Sequence, residues 1–192
     1  RSSIVESTSR FCAGQRRLER DGMTNDSGKR GSSTVLVSTG DYFVEAVEFA
    51  FTQRRFSTFP SAQSYLVKLL EYYVPAVNLF DEVHEAGRRT RSTLAETLLK
   101  AMNAEPVLRA EMLKKMADRA LYITGFFADS LQRKLVDIDY YAEMGVTAYG
   151  TLADLSREDL AARVYREYAE KFVRYSEVLT TISSQARVQD EE

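Results

Sequence analysis

Between Leu131 and Leu152 the apolar residues recur every three or four positions. Leu131, Leu135, Ile138, Ala142, Gly145, Tyr149 and Leu152 share one helix face, since about 3.6 residues complete a turn. A second stripe of Val136, Tyr140, Met144 and Ala148 widens that face. So broad a surface predicts a central helix with neighbours on two sides. Gly145 within a helix costs about 1 kcal/mol relative to alanine. A close helix contact is the expected compensation, and Ala142 and Ala148 are small enough to permit one. Three prolines in 192 residues leave long helices uninterrupted. The fold class expected is all-α, a single helical bundle of about six helices.

The charges beside this stripe mark the first candidate site. Asp129, Arg133 and Asp137 are spaced four apart, so Arg133 can pair with either acid. Asp139 lies between Leu135 and Ala142 on the helical wheel and is expected to be half buried. A buried carboxylate needs a partner. Arg119, at the edge of the preceding apolar face, and nearby tyrosine hydroxyls are candidates. Arg119, Tyr122, Asp129, Arg133, Lys134, Asp137, Asp139 and Tyr140 are therefore the ligand- or partner-binding candidates. The competing reading is an internal ion-pair network that sets helix register.

Residues 1–38 are rich in Ser, Arg and Gly and lack an apolar period, which predicts a flexible, disordered N-terminal tail. Met23 is the expected natural start. A mitochondrial transit peptide is the weaker alternative, because Glu6, Glu19 and Asp21 interrupt the basic residues. Val35, Leu36 and Val37 could lay an extended segment on the bundle. Residues 39–187 form the expected bundle domain, and 188–192 a frayed end.

Within the bundle, a first helix is expected over about Asp41 to Arg55, N-capped by Asp41, with Phe43, Val47, Ala50 and Phe51 inward. A second, about Ser61 to Val74, follows a turn at Phe59-Pro60-Ser61 and buries Leu66, Leu69, Leu70 and Tyr73. Pro75 ends it. The charged run from Pro75 to Ser92 reads as a solvated loop, and such loops often carry function. Thr93 and Glu96 match a capping box for a third helix, with Leu94, Leu98, Ala101 and Met102 inward. Pro106 suits the first turn of a fourth helix, which carries Leu113, Met116, Ala120, Ile123 and Phe127. Gly125 weakens helix, so Gly125 to Ser130 are expected to form a kink or tight corner, with Phe126 and Phe127 as core plugs. Ser156 is expected to cap one long last helix running to about Ala186, with Leu155 and Leu160 as a hydrophobic staple. Tyr165, Tyr168, Phe172 and Tyr175 either complete the core or leave an apolar strip for a partner or a second copy.

Much chemistry is excluded. A net charge of −2 argues against general nucleic-acid binding. No apolar run approaches the roughly 18 residues needed to span a bilayer. Cys12 is the sole cysteine, so an intrachain disulfide and a thiolate metal cluster are ruled out. Phosphate-loop, dinucleotide and nucleophile-elbow motifs are missing, and one histidine cannot supply the paired Glu-x-x-His pattern of di-iron bundles. Asp81, His84 and Glu85 would need metal ligands from elsewhere. Asp137, Asp139 and Glu143 could hold Mg²⁺ only awkwardly, because Asp137 points about 160° away from Asp139 on a helix. No cofactor and no metal site are expected.

The segments TFPSAQSYLVKLLEYYV, RRTRSTLAETLLKAMNAEP and ALYITGFFADSLQRKLVDIDYYAEMGVTAYGTLA resemble a family of uncharacterised, all-helical proteins of predatory and related soil or sediment bacteria. The likeness covers about Thr34 to Leu155, and Leu121–Ala148 is its most specific part. It implies a bacterial, cytoplasmic setting and supplies no catalytic residues. The function expected is a non-enzymatic protein-interaction or regulatory module, with self-association or a protein partner. The alternative is a small-ligand or enzymatic site inside the bundle, lined by Arg, Asp and Tyr.

Overall fold

The computed structural model describes residues 39–79, 82–85, 88–91, 93–128 and 138–189. The expected tail, residues 129–137 with Asp129, Arg133, Lys134 and Asp137, and residues 190–192 lie outside them. The fold is all-α. Its helices are α1 (Thr39–Gln53), α2 (Pro60–Tyr73), α3 (Leu94–Met102), α4 (Pro106–Phe126), α5 (Ile138–Leu155), α6 (Asp159–Glu170) and α7 (Phe172–Gln189). That is seven helices among the described residues rather than about six.

The extra helix comes from the last segment. The single long helix expected after Ser156 is two, because Lys171 leaves helical geometry at φ −116° and ψ 26°. The inward spacing of Val164, Tyr168, Phe172, Tyr175, Leu179 and Ile182 passes through the break unchanged, and all six are buried. Ser156 does not cap α6. Its hydroxyl donates back to Leu152 O at 2.7 Å, and Glu158 is the N-cap. Leu155 and Leu160 are exposed and form no staple.

The most enclosed helix is α4, while α5 has the expected neighbours on two sides, α4 and α6. Every residue from Met116 to Phe126 except Ile123 is buried, as in a helix enclosed on all sides. It packs mainly on α5 and α7, with α3 along its first half. The close contact expected at Gly145 is present, since a Cβ there would overlap the Phe172 ring. Gly125 serves the same purpose. α4 continues through it and ends just beyond, with Phe127 the C-cap, and a Cβ on it would run into Leu179. Thr180 Oγ1 donates to Gly125 O at 2.9 Å and Ser183 Oγ to Phe126 O at 3.1 Å, so α7 satisfies carbonyls at the end of α4. Phe126 and Phe127 are core plugs as expected.

Caps set the remaining corners. The Thr93–Glu96 capping box is complete, at 3.2 and 3.0 Å. Pro60 and Pro106 each open a helix in its first turn. Asp41 lies inside the first turn of α1 rather than capping it. The end of α1 closes through Arg55 N–H to Thr52 O and Phe56 N–H to Phe51 O, at 3.1 and 3.0 Å. This is the Schellman pattern, and the Phe51 and Phe56 rings make its hydrophobic contact. Arg55 occupies its left-handed position at φ 47°, where an L-residue other than glycine costs about 1 kcal/mol. The connection read as a solvated loop contains a 3₁₀ turn, Ala76–Leu79, and a short antiparallel hairpin, Glu82–Glu85 with Arg88–Arg91. Its register sets Glu82 opposite Arg91 and Glu85 opposite Arg88.

Gly145→Ala should lower the urea-unfolding free energy by about 1–3 kcal/mol through overpacking. Gly150→Ala meets open space and should be neutral or raise stability by up to about 1 kcal/mol. Equal effects at the two positions would contradict the close packing of α5 on Phe172.

Candidate functional site

The charged centre of the bundle is Asp118, on the enclosed part of α4. Tyr65 from α2 and Tyr149 from α5 donate their hydroxyls to its Oδ1 at 2.6 and 2.7 Å. Lys114 donates to Oδ2 at 2.6 Å from one turn earlier. A buried carboxylate without such donors would cost several kcal/mol. Here three donors meet it, and each comes from the protein. Around it the rings of Tyr65, Tyr149, Tyr165 and Tyr168 pack with centroids 5.0–6.5 Å apart. Tyr168 donates onward to Ala62 O at 2.8 Å.

A second polar knot joins the 54–59 turn to α6 and α7. Thr58 donates to Glu167 Oε1 at 2.9 Å, and Lys171 donates to the same oxygen at 2.8 Å. Thr58 Oγ1 and the Tyr175 hydroxyl are hydrogen-bonded at 2.8 Å. Tyr175 also stacks on Tyr168 at 4.0 Å. Both knots consume their own hydrogen-bonding capacity. They hold helices together, and among the described residues no buried side-chain atom of either knot lacks a hydrogen-bond partner.

Burial, reinforced by the negative charge of Asp118, holds the Tyr65 and Tyr149 phenols well above the usual tyrosine range. Burial raises Tyr168 similarly, with Tyr175, Asp118 and Glu167 adding to it. Tyr175 is pushed up chiefly by burial, opposed by the Thr58 hydroxyl and reinforced by Glu167.

The sequence-predicted residues separate. Arg119 is buried beside the Asp118 centre, on the same helix. Its positive charge reaches Tyr141, where it opposes the upward push of burial on that phenol. Tyr122 is a core ring stacked on Tyr73 and Phe126, at 4.8 and 4.6 Å. Tyr140 accepts the Ala95 N–H at 3.1 Å and so helps close the N-terminus of α3. Asp139 is exposed rather than half buried, because it sits in the first turn of α5. The sequence reading missed Asp118, although Lys114 and Asp118 show the i, i+4 ion-pair spacing.

Two surfaces remain. A shallow cleft of about 610 Å³ runs between α5 and α6, lined by Asp154, Asp159, Arg163, Arg166 and Glu170 among others. Across it Arg166 and Asp154 pair loosely at 3.8 Å, both exposed. Among the described residues no group of His, Cys, Asp and Glu is placed to hold a metal. The other surface is apolar and lies at the α3–α4 corner. Leu99 is 70% exposed, Met102 54%, Val107 76% and Leu108 51%. Met102 was expected inward, but α3 buries Leu94, Thr97 and Ala101 instead. Ala95, Leu99 and Met102, spaced i, i+4, i+7, form a second stripe facing solvent. The corner is rigid, because Arg109 donates to Ala101 O, Met102 O and Ala104 O at 2.9–3.2 Å. By contrast Tyr168, Phe172 and Tyr175 are buried and Tyr165 half-buried, so these rings complete the core.

Comparison with family models, curated proteins and solved structures gave no match. Among the described residues no helix is long and apolar enough to cross a membrane.

Tyr149→Phe removes one of three donors from a buried carboxylate and should cost about 1–3 kcal/mol in urea unfolding. The exposed Tyr72→Phe should stay within about 0.5 kcal/mol of the parent chain. A similar loss from both would show that the Asp118 contact carries no special weight.

Raised phenol pKa values also set the alkaline limit of the fold. The folded chain keeps these protons at a pH where the unfolded chain, with phenols near about 10, releases them. Their contribution is complete below that pH and declines as pH rises above it. The unfolding free energy should fall above pH about 10 by up to about 1.4 kcal/mol per pH unit for each phenol still held. A free energy that stays level between pH about 10 and about 12 would refute this linkage.

Proposed function

We propose that the chain is a non-enzymatic protein-interaction module acting in a bacterial cytoplasm, and that it associates with a second copy of itself through α3. The observation that carries this reading is the solvent-facing stripe of Ala95, Leu99 and Met102, beside Val107 and Leu108. Large apolar side chains more than half exposed on a rigid corner favour a partner surface. The i, i+4, i+7 spacing suits packing against another helix. Glu96 and Lys100 flank the stripe with opposite charges. Two antiparallel copies of α3 bring Glu96 of one copy near Lys100 of the other, and the symmetry repeats the pair. The stripe is small, which fits a weak, concentration-dependent dimer.

A ligand site inside the bundle is less favoured. Tyr122 is committed to a ring stack, Tyr140 to the start of α3, and Asp118 to three protein donors.

Light scattering after size exclusion, over a range of concentrations, tests the association. The parent chain should shift from monomer towards dimer as concentration rises. Leu99→Lys should remain monomeric with a stability within about 0.5 kcal/mol of the parent, as for an exposed position. A parent chain that is monomeric throughout overturns self-association through α3.

A further inference from the structure

We infer that the turn between α1 and α2, with the facing side of α6 and α7, is a docking surface for an acidic peptide segment of a protein partner. Four cations gather at this turn. Arg174 donates to Arg54 O at 3.3 Å. Its guanidinium lies 5.4 Å from the centre of the Phe56 ring, and the Lys171 ammonium lies 5.8 Å from the same centre. Arg54 reaches across to Thr181 with its Nε at 2.7 Å. Arg55 follows in sequence and is exposed, and its guanidinium has no hydrogen bond or ion pair among the described residues. Arg163, over the Phe59 ring at 4.5 Å, extends the strip along α6.

The charge balance here runs against that of the chain. The carboxylates tied to the strip by ion pairs are Glu167, bound by Lys171 and Thr58, and Glu177, which meets Arg174 at a loose 3.9 Å. At the turn itself Arg54, Arg55, Lys171 and Arg174 stand against these two acids, a local surplus of positive charge on a protein whose net charge is −2, while Arg163 also borders the cleft that holds Asp154, Asp159 and Glu170. Arg55 adds a second, independent sign. It stands at the left-handed position that glycine fills with least strain. An arginine there projects a charge outward from a fixed turn.

The surroundings select the class of partner. The Phe56 ring already carries two cations and touches the Phe51 and Tyr175 rings, so it offers no open face for stacking a base. Exposed guanidiniums in a row, each able to take a carboxylate in two parallel hydrogen bonds, suit glutamate and aspartate side chains. Contacts of this kind at a surface are screened by salt.

The test is fluorescence anisotropy with the full chain and three labelled probes: a glutamate–leucine repeat peptide, its lysine–leucine counterpart and a single-stranded oligonucleotide. The glutamate peptide should bind, more weakly as salt rises, and better than either comparator. Arg55→Gly suits the local backbone and should weaken binding by about five-fold, as for one surface charge contact. Arg174→Glu should abolish binding, with circular dichroism confirming the fold. Leu99→Lys should leave binding unchanged, so this surface stands or falls apart from the α3 stripe. Equal binding of the lysine peptide, tighter binding of the oligonucleotide, or binding indifferent to Arg55→Gly would each overturn the proposal.

Discussion

A carboxylate in the middle of the most enclosed helix dictates much of this architecture. Asp118 cannot be left bare in the interior, so the neighbouring helices must bring donors to it. Tyr65 and Tyr149 do so from α2 and α5, and Lys114 from α4 itself. A tyrosine can reach a buried oxygen while packing a large apolar ring on the way. The same side chains therefore fill the core and hydrogen-bond its carboxylate, while Lys114 supplies the counter-charge. Other buried tyrosines use their hydroxyls elsewhere, Tyr168 on Ala62 O and Tyr175 on Thr58.

Such a centre demands close approach. α4 is pressed between α5 and α7 at two glycines, Gly145 under Phe172 and Gly125 under Leu179. The interruption at Lys171 belongs to the same arrangement. It lets α6 lay Tyr168 against Tyr65 while α7 turns to bring Phe172 over Gly145 and Thr180 onto the end of α4. A side chain at Gly145 would push α5, which carries Tyr149, away from Phe172 and Ala120. Backbone spacing and hydrogen bonding are thus one constraint seen from two sides.

What was legible in the sequence was local or costly. The Thr93–Glu96 box involves four consecutive residues, so nothing distant could override it. Gly145 was legible because a glycine within a helix is unfavourable unless a neighbour needs the space. Inward stripes on α1 and α2 were legible because one face of each meets water. Periodicity fails where that contrast disappears. α4 is buried nearly all round from Met116 to Phe126, so its wheel has no polar side to orient it, and Arg119 looked like an edge residue. The break at Lys171 has neither proline nor glycine to announce it, and the apolar spacing continues through it. At Ser156 the hydroxyl can bond forward to a new helix or back to the old one; it bonds back to Leu152. Of the eight proposed site residues, the structure places Arg119 and Tyr122 on α4 and Asp139 and Tyr140 on α5, in four different environments, because neighbouring positions on one helix meet different partners.

The disposition of charge separates inside from outside. Within the core the Asp118 carboxylate is enclosed by donors from its own chain. At the surface the pattern reverses. The α3 stripe exposes apolar side chains held in place by the Arg109 cap, and the α1–α2 turn exposes cations held in place by rings. Association through the first depends on removing apolar area from water and is little weakened by salt. Association through the second depends on charges at the surface, where salt screens over about 8–10 Å. The two surfaces are built from different helices. Ionic strength would therefore distinguish the two proposed associations.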